Sequence, residues 1–178
     1  MEKLTEETLS SSYLYRGYIV NVRQDRVRLP DGKTAFREVV EHPGAVAVLA
    51  LDENDCAVLV RQYRQPVGSL LLEAPAGKLE PGEEPLSCAK RELAEETGLC
   101  GERWQEAGWV YPSPGFCNEK IHLFITRGLS STVAAADGEE HIEVLRLPLA
   151  EAMRLVESGE IIDAKTVLLL QKAYLITA

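Results

Sequence analysis

The residues best placed to do chemistry lie in one short stretch, Arg91-Glu92-Leu93-Ala94-Glu95-Glu96-Thr97-Gly98. On a helix, Glu92 and Glu96 sit one turn apart and project from the same face, with Glu95 beside them. Like charges at that spacing destabilise a helix by roughly 0.2–0.5 kcal/mol. A glutamate pair on an arbitrary helix is usually just a solvated face, where salt screens the repulsion. A bound divalent cation offsets it better, and carboxylate oxygens are the ligands magnesium favours. Upstream runs Glu73-Ala74-Pro75-Ala76-Gly77-Lys78-Leu79-Glu80-Pro81-Gly82-Glu83, which reads as a strand end, a glycine-bearing loop and a helix start. Such a loop brings main-chain groups close to whatever the carboxylates hold. Loop and helix together read as a metal cradle rather than a charge run.

The elements that must position this cradle follow from periodicity and turn signals. Residues 81–98 carry the strongest helix signal, with Glu83 and Glu84 near its start, Pro85 suited to the first helical position and Gly98 just past the end. Leu86, Ala89 and Leu93 supply its apolar stripe. The first twelve residues read as frayed. Tyr13 to Leu29 alternates in part like a strand, and Pro30-Asp31-Gly32-Lys33 is a turn. Thr34 to Glu41 reads as the return strand of a hairpin. Ala45 to Leu51 is a continuous apolar run, as in a strand buried on both faces. Strands are predicted over residues 56–63, 70–73, 106–111, 120–126 and 140–147, and closing helices over 149–158 and 164–176. The expected fold is α/β, a mixed β-sheet sandwiched between helices and preceded by an N-terminal antiparallel β-hairpin. The division is a hairpin region at 1–43 and a main domain at 44–178.

Bulk properties bound the function. The 178 residues are 46% hydrophobic and 26% charged, with a net charge of −9. That charge argues against a nucleic-acid surface, which needs a basic footprint, and no apolar run approaches the ~20 residues needed to span a bilayer. The charge leaves room for a phosphate-bearing small substrate bridged to acidic side chains by cations. The polar start, MEKLTEETLSSS, lacks the apolar centre of a secretory signal, so a cytoplasmic location is expected. Cys56, Cys88, Cys100 and Cys117 show no C-x-x-C pairing and read as four reduced, mostly buried thiols. Of the histidines, His42 falls in a turn, His122 in a strand and His141 in an acidic loop.

Gly77, Glu83 and the run Arg91-Glu92-Leu93-x-Glu95-Glu96-x-Gly98-Leu99 resemble the Nudix box, G-x5-E-x7-R-E-U-x-E-E-x-G-U with U aliphatic, and every fixed position is filled. A match at nine spaced positions is far more specific than a lone glycine motif. The resemblance implies metal-dependent hydrolysis of a nucleoside diphosphate linked to another moiety, on a Nudix-type α/β/α sandwich. It implies magnesium, with manganese as the alternative ion, at two or three ions per site. Glu92 and Glu96 would be the main ligands, joined by the Ala76 carbonyl, with Glu95 either a further ligand or a catalytic acid that positions the water. Glu83 and Arg91 would serve catalysis by positioning those carboxylates.

Outside the box, Tyr111-Pro112-Ser113-Pro114-Gly115-Phe116 resembles the ADP-ribose pyrophosphatase subfamily, with Pro114 sixteen residues after Gly98. Taken alone, Ser-Pro-Gly is simply a turn. Arg37-Glu38-Val39-Val40-Glu41-His42-Pro43-Gly44 and Val60-Arg61-Gln62-Tyr63-Arg64 also resemble that subfamily. As residues alone, Arg37 and Arg64 are either surface strand charges or forked phosphate ligands. The resemblance favours substrate contact for both, together with Glu38, Pro114, Gly115 and Glu119, and Tyr18 as an aromatic able to stack on adenine. It places the catalytic base on the loop at 134–141, where Glu139 and Glu140 are the candidates and Glu140 is also a candidate metal ligand. The subfamily implies a homodimer whose N-terminal strands lend residues such as Arg37 to the partner's site. ADP-ribose cleaved to AMP and ribose 5-phosphate is the leading expectation. The alternatives are another nucleoside diphosphate sugar or dinucleotide, or a non-catalytic ADP-ribose sensor.

Overall fold

The computed structural model describes residues 4–132 and 141–177. Its contacts divide the chain into two compact units, Met1–Gly44 with Tyr111–Lys120, and Ala45–Val110 with Ile121–Ala178.

The first unit is built on a three-stranded antiparallel sheet of β1 (Glu7–Arg16), β2 (Asn21–Arg28) and β3 (Thr34–Glu41), in that order. The predicted hairpin is the β2–β3 pair, with Thr34 opposite Arg28 and Glu41 opposite Asn21. The expectation of a frayed start is corrected, because Glu7–Arg16 forms a paired strand. Periodicity could not reveal it: all ten residues are exposed, so β1 has no buried face to write an alternating pattern. Its register is also broken between Thr8 and Ser10 and between Tyr13 and Tyr15, and such bulges scramble alternation. The 111–120 segment joins this unit through main-chain bonds to β3. Val40 N–H donates to Phe116 O at 2.7 Å, and Asn118 N–H donates to Val40 O at 3.1 Å.

The second unit holds a seven-stranded sheet with backbone order β10-β5-β4-β9-β8. These strands are β4 (Ala45–Leu51), β5 (Cys56–Arg64), β8 (Leu99–Val110), β9 (Ile121–Ser131) and β10 (Glu143–Pro148). Two short strands complete it: β6 (Ser69–Glu73) pairs with β5, and β7 (Ala76–Lys78) with β4. The β4–β9 pair is parallel and the others are antiparallel, so the sheet is mixed. Every residue of β4 is buried. Successive side chains point to opposite faces, and β4 feeds two cores accordingly. Ala45, Ala47, Leu49 and Leu51 pack with Leu149 and Ala152 of helix α2 (Leu149–Ser158) and with Leu169, Leu170 and Ala173 of helix α3 (Ala164–Thr177). Val46, Val48 and Ala50 pack with Cys88, Ala89 and Leu93 of helix α1 (Pro85–Thr97). Helices therefore cover both faces, as expected.

Other details differ from the sequence reading, among them β8, which begins at Leu99 rather than at 106, and β9, which runs on to Ser131. Cys88 rather than Leu86 completes the buried stripe of α1, and Leu86 is exposed. β7 was not predicted, since three residues are too few for a period to register. Only Cys88 of the four free cysteines is buried; Cys56 and Cys117 are half-buried and Cys100 is exposed. Among the described residues, no helix is long and apolar enough to cross a membrane.

Candidate active site

Helix α1 is delivered to the sheet by short-range chemistry. Pro85 occupies its first turn, where a missing N–H costs nothing. Gly98 ends it in the left-handed conformation at φ 67°, and its N–H donates to Ala94 O. Burial of Cys88, Ala89 and Leu93 fixes the helix rotation. The opposite flank then carries Arg91, Glu92, Glu95 and Glu96.

Arg91 is the hub of this flank. Its guanidinium grips Glu83 in a forked pair, Nε to Oε1 at 3.0 Å and Nη2 to Oε2 at 2.9 Å. Nη1 donates to Glu92 Oε1 at 2.8 Å and to Glu95 Oε2 at 3.0 Å. Nη2 also reaches the Lys78 carbonyl at 3.3 Å. One cation thus ties the loop to the helix and offsets the repulsion among the acids. Glu83 takes a third bond from the Glu80 N–H at 3.1 Å. The Arg91 guanidinium holds the Glu83 carboxyl down at about 2, so this acid is ionised across the neutral range. The same pairing raises the Arg91 pKa, Glu83 contributing most. Below them lies the Cys88 thiol, pushed up to about 12 by burial first and by Glu83 second. It is a neutral donor to the Lys78 carbonyl at 3.3 Å. Glu83 and Glu84 precede the first helical turn, which itself holds no acid, so Glu83 acts through Arg91 rather than through the helix dipole.

The loop meets the helix at two points. Ala76 N–H donates to Glu96 Oε2 at 3.1 Å. Gly77 lies directly against Glu92: a Cβ there would stand 1.9 Å from the Glu92 carboxyl carbon. The glycine therefore leaves the space that the Glu92 carboxylate fills. Gly77 and Ala76 are held in β7 opposite Val46 and Ala47, so the approach is set by the sheet.

These groups suit a hard divalent cation. The available donors are carboxylate and carbonyl oxygens, with no thiolate or imidazole among them. Among the described residues, no three acidic, histidine or cysteine side chains converge as a ready cage. Glu92 and Glu95 are engaged by Arg91, and Glu96 by the Ala76 N–H. Glu139 and Glu140 lie outside the described residues.

The other sequence candidates are distributed as follows. Arg64 belongs to the second unit, at the end of β5, and forks onto Glu73 with Nε to Oε1 at 2.7 Å and Nη2 to Oε2 at 2.8 Å. Sequence reasoning passed over Glu73 as an ordinary strand residue, yet it is 1% exposed. A buried acid needs a partner, and a glutamate in an apolar run beside an arginine-bearing strand is the signal that could have found it. Arg37, Glu38, Tyr18, Pro114, Gly115 and Glu119 belong to the first unit. Arg37 pairs with Glu6, Nε to Oε2 at 3.0 Å and Nη2 to Oε1 at 2.5 Å. Glu38 is exposed on β3, and Tyr18 is fully exposed between β1 and β2. Pro114 and Gly115 form a turn in which Ser113 O accepts the Cys117 N–H at 3.0 Å. The loop is pinned again where Asn118 Oδ1 accepts the His42 N–H at 2.8 Å. Glu119 Oε1 stands 3.7 Å from His42 Nδ1.

Comparison with known proteins places the chain in a family. A family pattern described as NUDIX domain matches residues 41–170. A second, described as nucleoside diphosphate sugar hydrolase N-terminal domain, matches residues 6–40. An ADP-ribose pyrophosphatase of Bacillus subtilis is 41% identical over 96% of this chain and 94% of its own length. A methanol dehydrogenase activator of Bacillus methanolicus is 43% identical over the same shares of the two chains. A crystal structure described as an ADP compounds hydrolase superposes with a TM-score of 0.84 at 22% identity, covering 97% of this chain and 95% of that one. With the box complete, its glycine packed against its glutamate, and matches spanning nearly the whole chain, the protein belongs to the Nudix hydrolase family.

Proposed function

We propose that this chain hydrolyses the pyrophosphate bond of ADP-ribose, releasing AMP and ribose 5-phosphate, with magnesium as the working ion. The observation that carries the reading is the Arg91-centred carboxylate cluster on α1, closed against Gly77. Nudix hydrolases are metal-dependent, and 41% identity to an ADP-ribose pyrophosphatase over nearly the full length favours that substrate. Glu92, Glu95, Glu96 and the Ala76 carbonyl would hold the ions. When bound, magnesium neutralises a diphosphate and lowers the pKa of its water. Arg91 and Glu83 keep the helix acids aimed. Arg64 presents a cationic edge to the diphosphate. Arg37, Glu38, Tyr18, Pro114, Gly115 and Glu119 are assigned to the rest of the substrate, and Glu139 or Glu140 to taking the proton from the attacking water.

The testing experiment is an assay of ADP-ribose, GDP-mannose, UDP-glucose, NADH and diadenosine polyphosphates with magnesium. The expected outcome is the highest kcat/KM on ADP-ribose, with turnover abolished by a chelator. A value on ADP-ribose at least about tenfold below the best alternative, a difference of about 1.4 kcal/mol, would remove the substrate assignment. No turnover on any of them would favour a binding module instead.

We also propose a homodimer in which the first unit supplies residues to the partner's site. The support is β1, an edge strand exposed at all ten positions, with Tyr13, Leu14 and Tyr15 among them, and Phe36 exposed on β3. Unpaired edges carrying apolar side chains invite a partner. Light scattering is expected to give twice the chain mass. A fully active monomer would refute shared sites.

A further inference from the structure

Glu73 lies at the end of β6 and is 1% exposed, yet it is paired with two cations. Arg64 forks onto it, and Lys165 Nζ donates to its Oε2 at 2.5 Å. Lys165 is itself mostly buried and also contacts Asp163 Oδ1 at 2.9 Å. Asp163 has further partners: its Oδ2 accepts the Thr166 N–H at 3.0 Å and the Thr166 hydroxyl at 2.5 Å. That acid caps α3, where the helix dipole offsets its charge. The Thr166 hydroxyl oxygen in turn accepts the Ala74 N–H at 2.7 Å. The first turn of α3 therefore grips the chain two residues before Ala76.

The charges decide what Lys165 does. Arg64 and Glu73 alone make a neutral pair with little field to offer an anion. Lys165 bonds the same Glu73 oxygen that Arg64 Nη2 uses, so two cations share that carboxylate. With Asp163 counted the four groups sum to zero, whereas Arg64, Glu73 and Asp163 without Lys165 would carry a net negative charge. Burial pushes the Glu73 carboxyl up, but Arg64 and Lys165 outweigh it and leave it ionised. Nε and Nη2 of Arg64 are held by Glu73, while no described residue accepts a bond from Nη1.

We propose that Lys165 is a positioning residue for substrate binding: by sharing the Glu73 carboxylate it fixes the Arg64 guanidinium and leaves it the positive charge that a diphosphate recognises. The inference depends on the proposed contact between Arg64 and substrate. Its role is electrostatic and acts through Arg64, so it belongs to binding rather than to the chemical step.

The experiment compares K165M, K165R, E73Q/K165M and R64M on ADP-ribose with magnesium, each checked for folding by thermal denaturation. K165M is expected to raise KM about tenfold with kcat held within about twofold, since a uniform binding contribution is lost. K165R is expected to lie within about twofold of the unmodified protein, because it keeps the charge. In E73Q/K165M the acid and its second cation go together, so KM is expected to recover to within about threefold. A structural brace predicts the opposite, a double variant worse than either change alone, and that comparison decides the matter should K165M fold poorly. KM unchanged in K165M but raised in R64M would overturn the inference while sparing Arg64. KM unchanged in R64M would instead remove the Arg64 contact on which it depends.

Discussion

Glu96→Gln is expected to lower kcat by more than about a hundredfold while the folded protein keeps its thermal stability. The magnitude follows from losing a charged oxygen of the proposed metal site, since disturbing even the outer partners of a metal site costs about 10–100-fold. Stability is spared for two reasons. The glutamine carbonyl still accepts the Ala76 N–H, which stands 3.1 Å from Glu96 Oε2. One negative charge also leaves a helix face that carries Glu92 one turn away, relieving roughly 0.2–0.5 kcal/mol of repulsion. A second readout separates binding from chemistry. Magnesium is expected to raise the melting temperature of the unmodified protein, because a ligand bound only by the folded state stabilises it. That rise is expected to shrink in Glu96→Gln. A folded variant with near-normal kcat and an unchanged magnesium response would remove Glu96 from the site.

This prediction could be framed from the amino-acid sequence, and the reason is physical. The box packs its determinants into 23 residues, so helix geometry alone relates Glu92, Glu95 and Glu96. The sandwich was legible on the same grounds: β4 is apolar throughout because it feeds two cores, and α2 begins and ends where its periodicity does. What stayed hidden depends on partners distant in the chain. Glu73 and Lys165 are 92 residues apart, and nothing local marks Lys165 as the second partner of that buried acid. The 111–120 segment joins β3 through main-chain bonds that leave no trace in side-chain pattern. β1 escaped because a strand exposed at every position has no alternation to read. Arg64 shows the limit of residue types alone. A strand arginine was read as either a surface charge or a phosphate ligand, and its guanidinium is committed first to a buried carboxylate.

Gly77→Ala carries the other large expected effect, and its value lies in separating fold from function. The glycine of a loop is ordinarily explained by backbone conformation, but Gly77 needs no left-handed φ: it is absent from the glycines at positive φ. What an alanine would meet is the Glu92 carboxylate, with the new Cβ 1.9 Å from both Cδ and Oε1. Real contacts of that length do not persist, so one side must move. β7 is tied to β4 through the Gly77–Val46 and Ala76–Ala47 pairs, whereas Glu92 ends in a flexible three-carbon arm. The side chain therefore yields and swings its carboxylate away from the loop. Stability is expected to change by less than about 1 kcal/mol, since an off-rotamer side chain costs about 0.5–1.5 kcal/mol and alanine restricts the unfolded chain by a comparable 0.4–1 kcal/mol. Turnover is expected to fall about a hundredfold or more, because a displacement on the order of 1 Å in a catalytic group costs about that much. Glu92→Gln, which leaves the shape and removes the charge, is the matched control. If Gly77→Ala melts many degrees lower and loses activity only in proportion to the unfolded fraction, the glycine serves the fold. If it stays folded and inactive, with a weakened magnesium response matching Glu92→Gln, Gly77 works by making room for the one carboxylate that the loop must not displace.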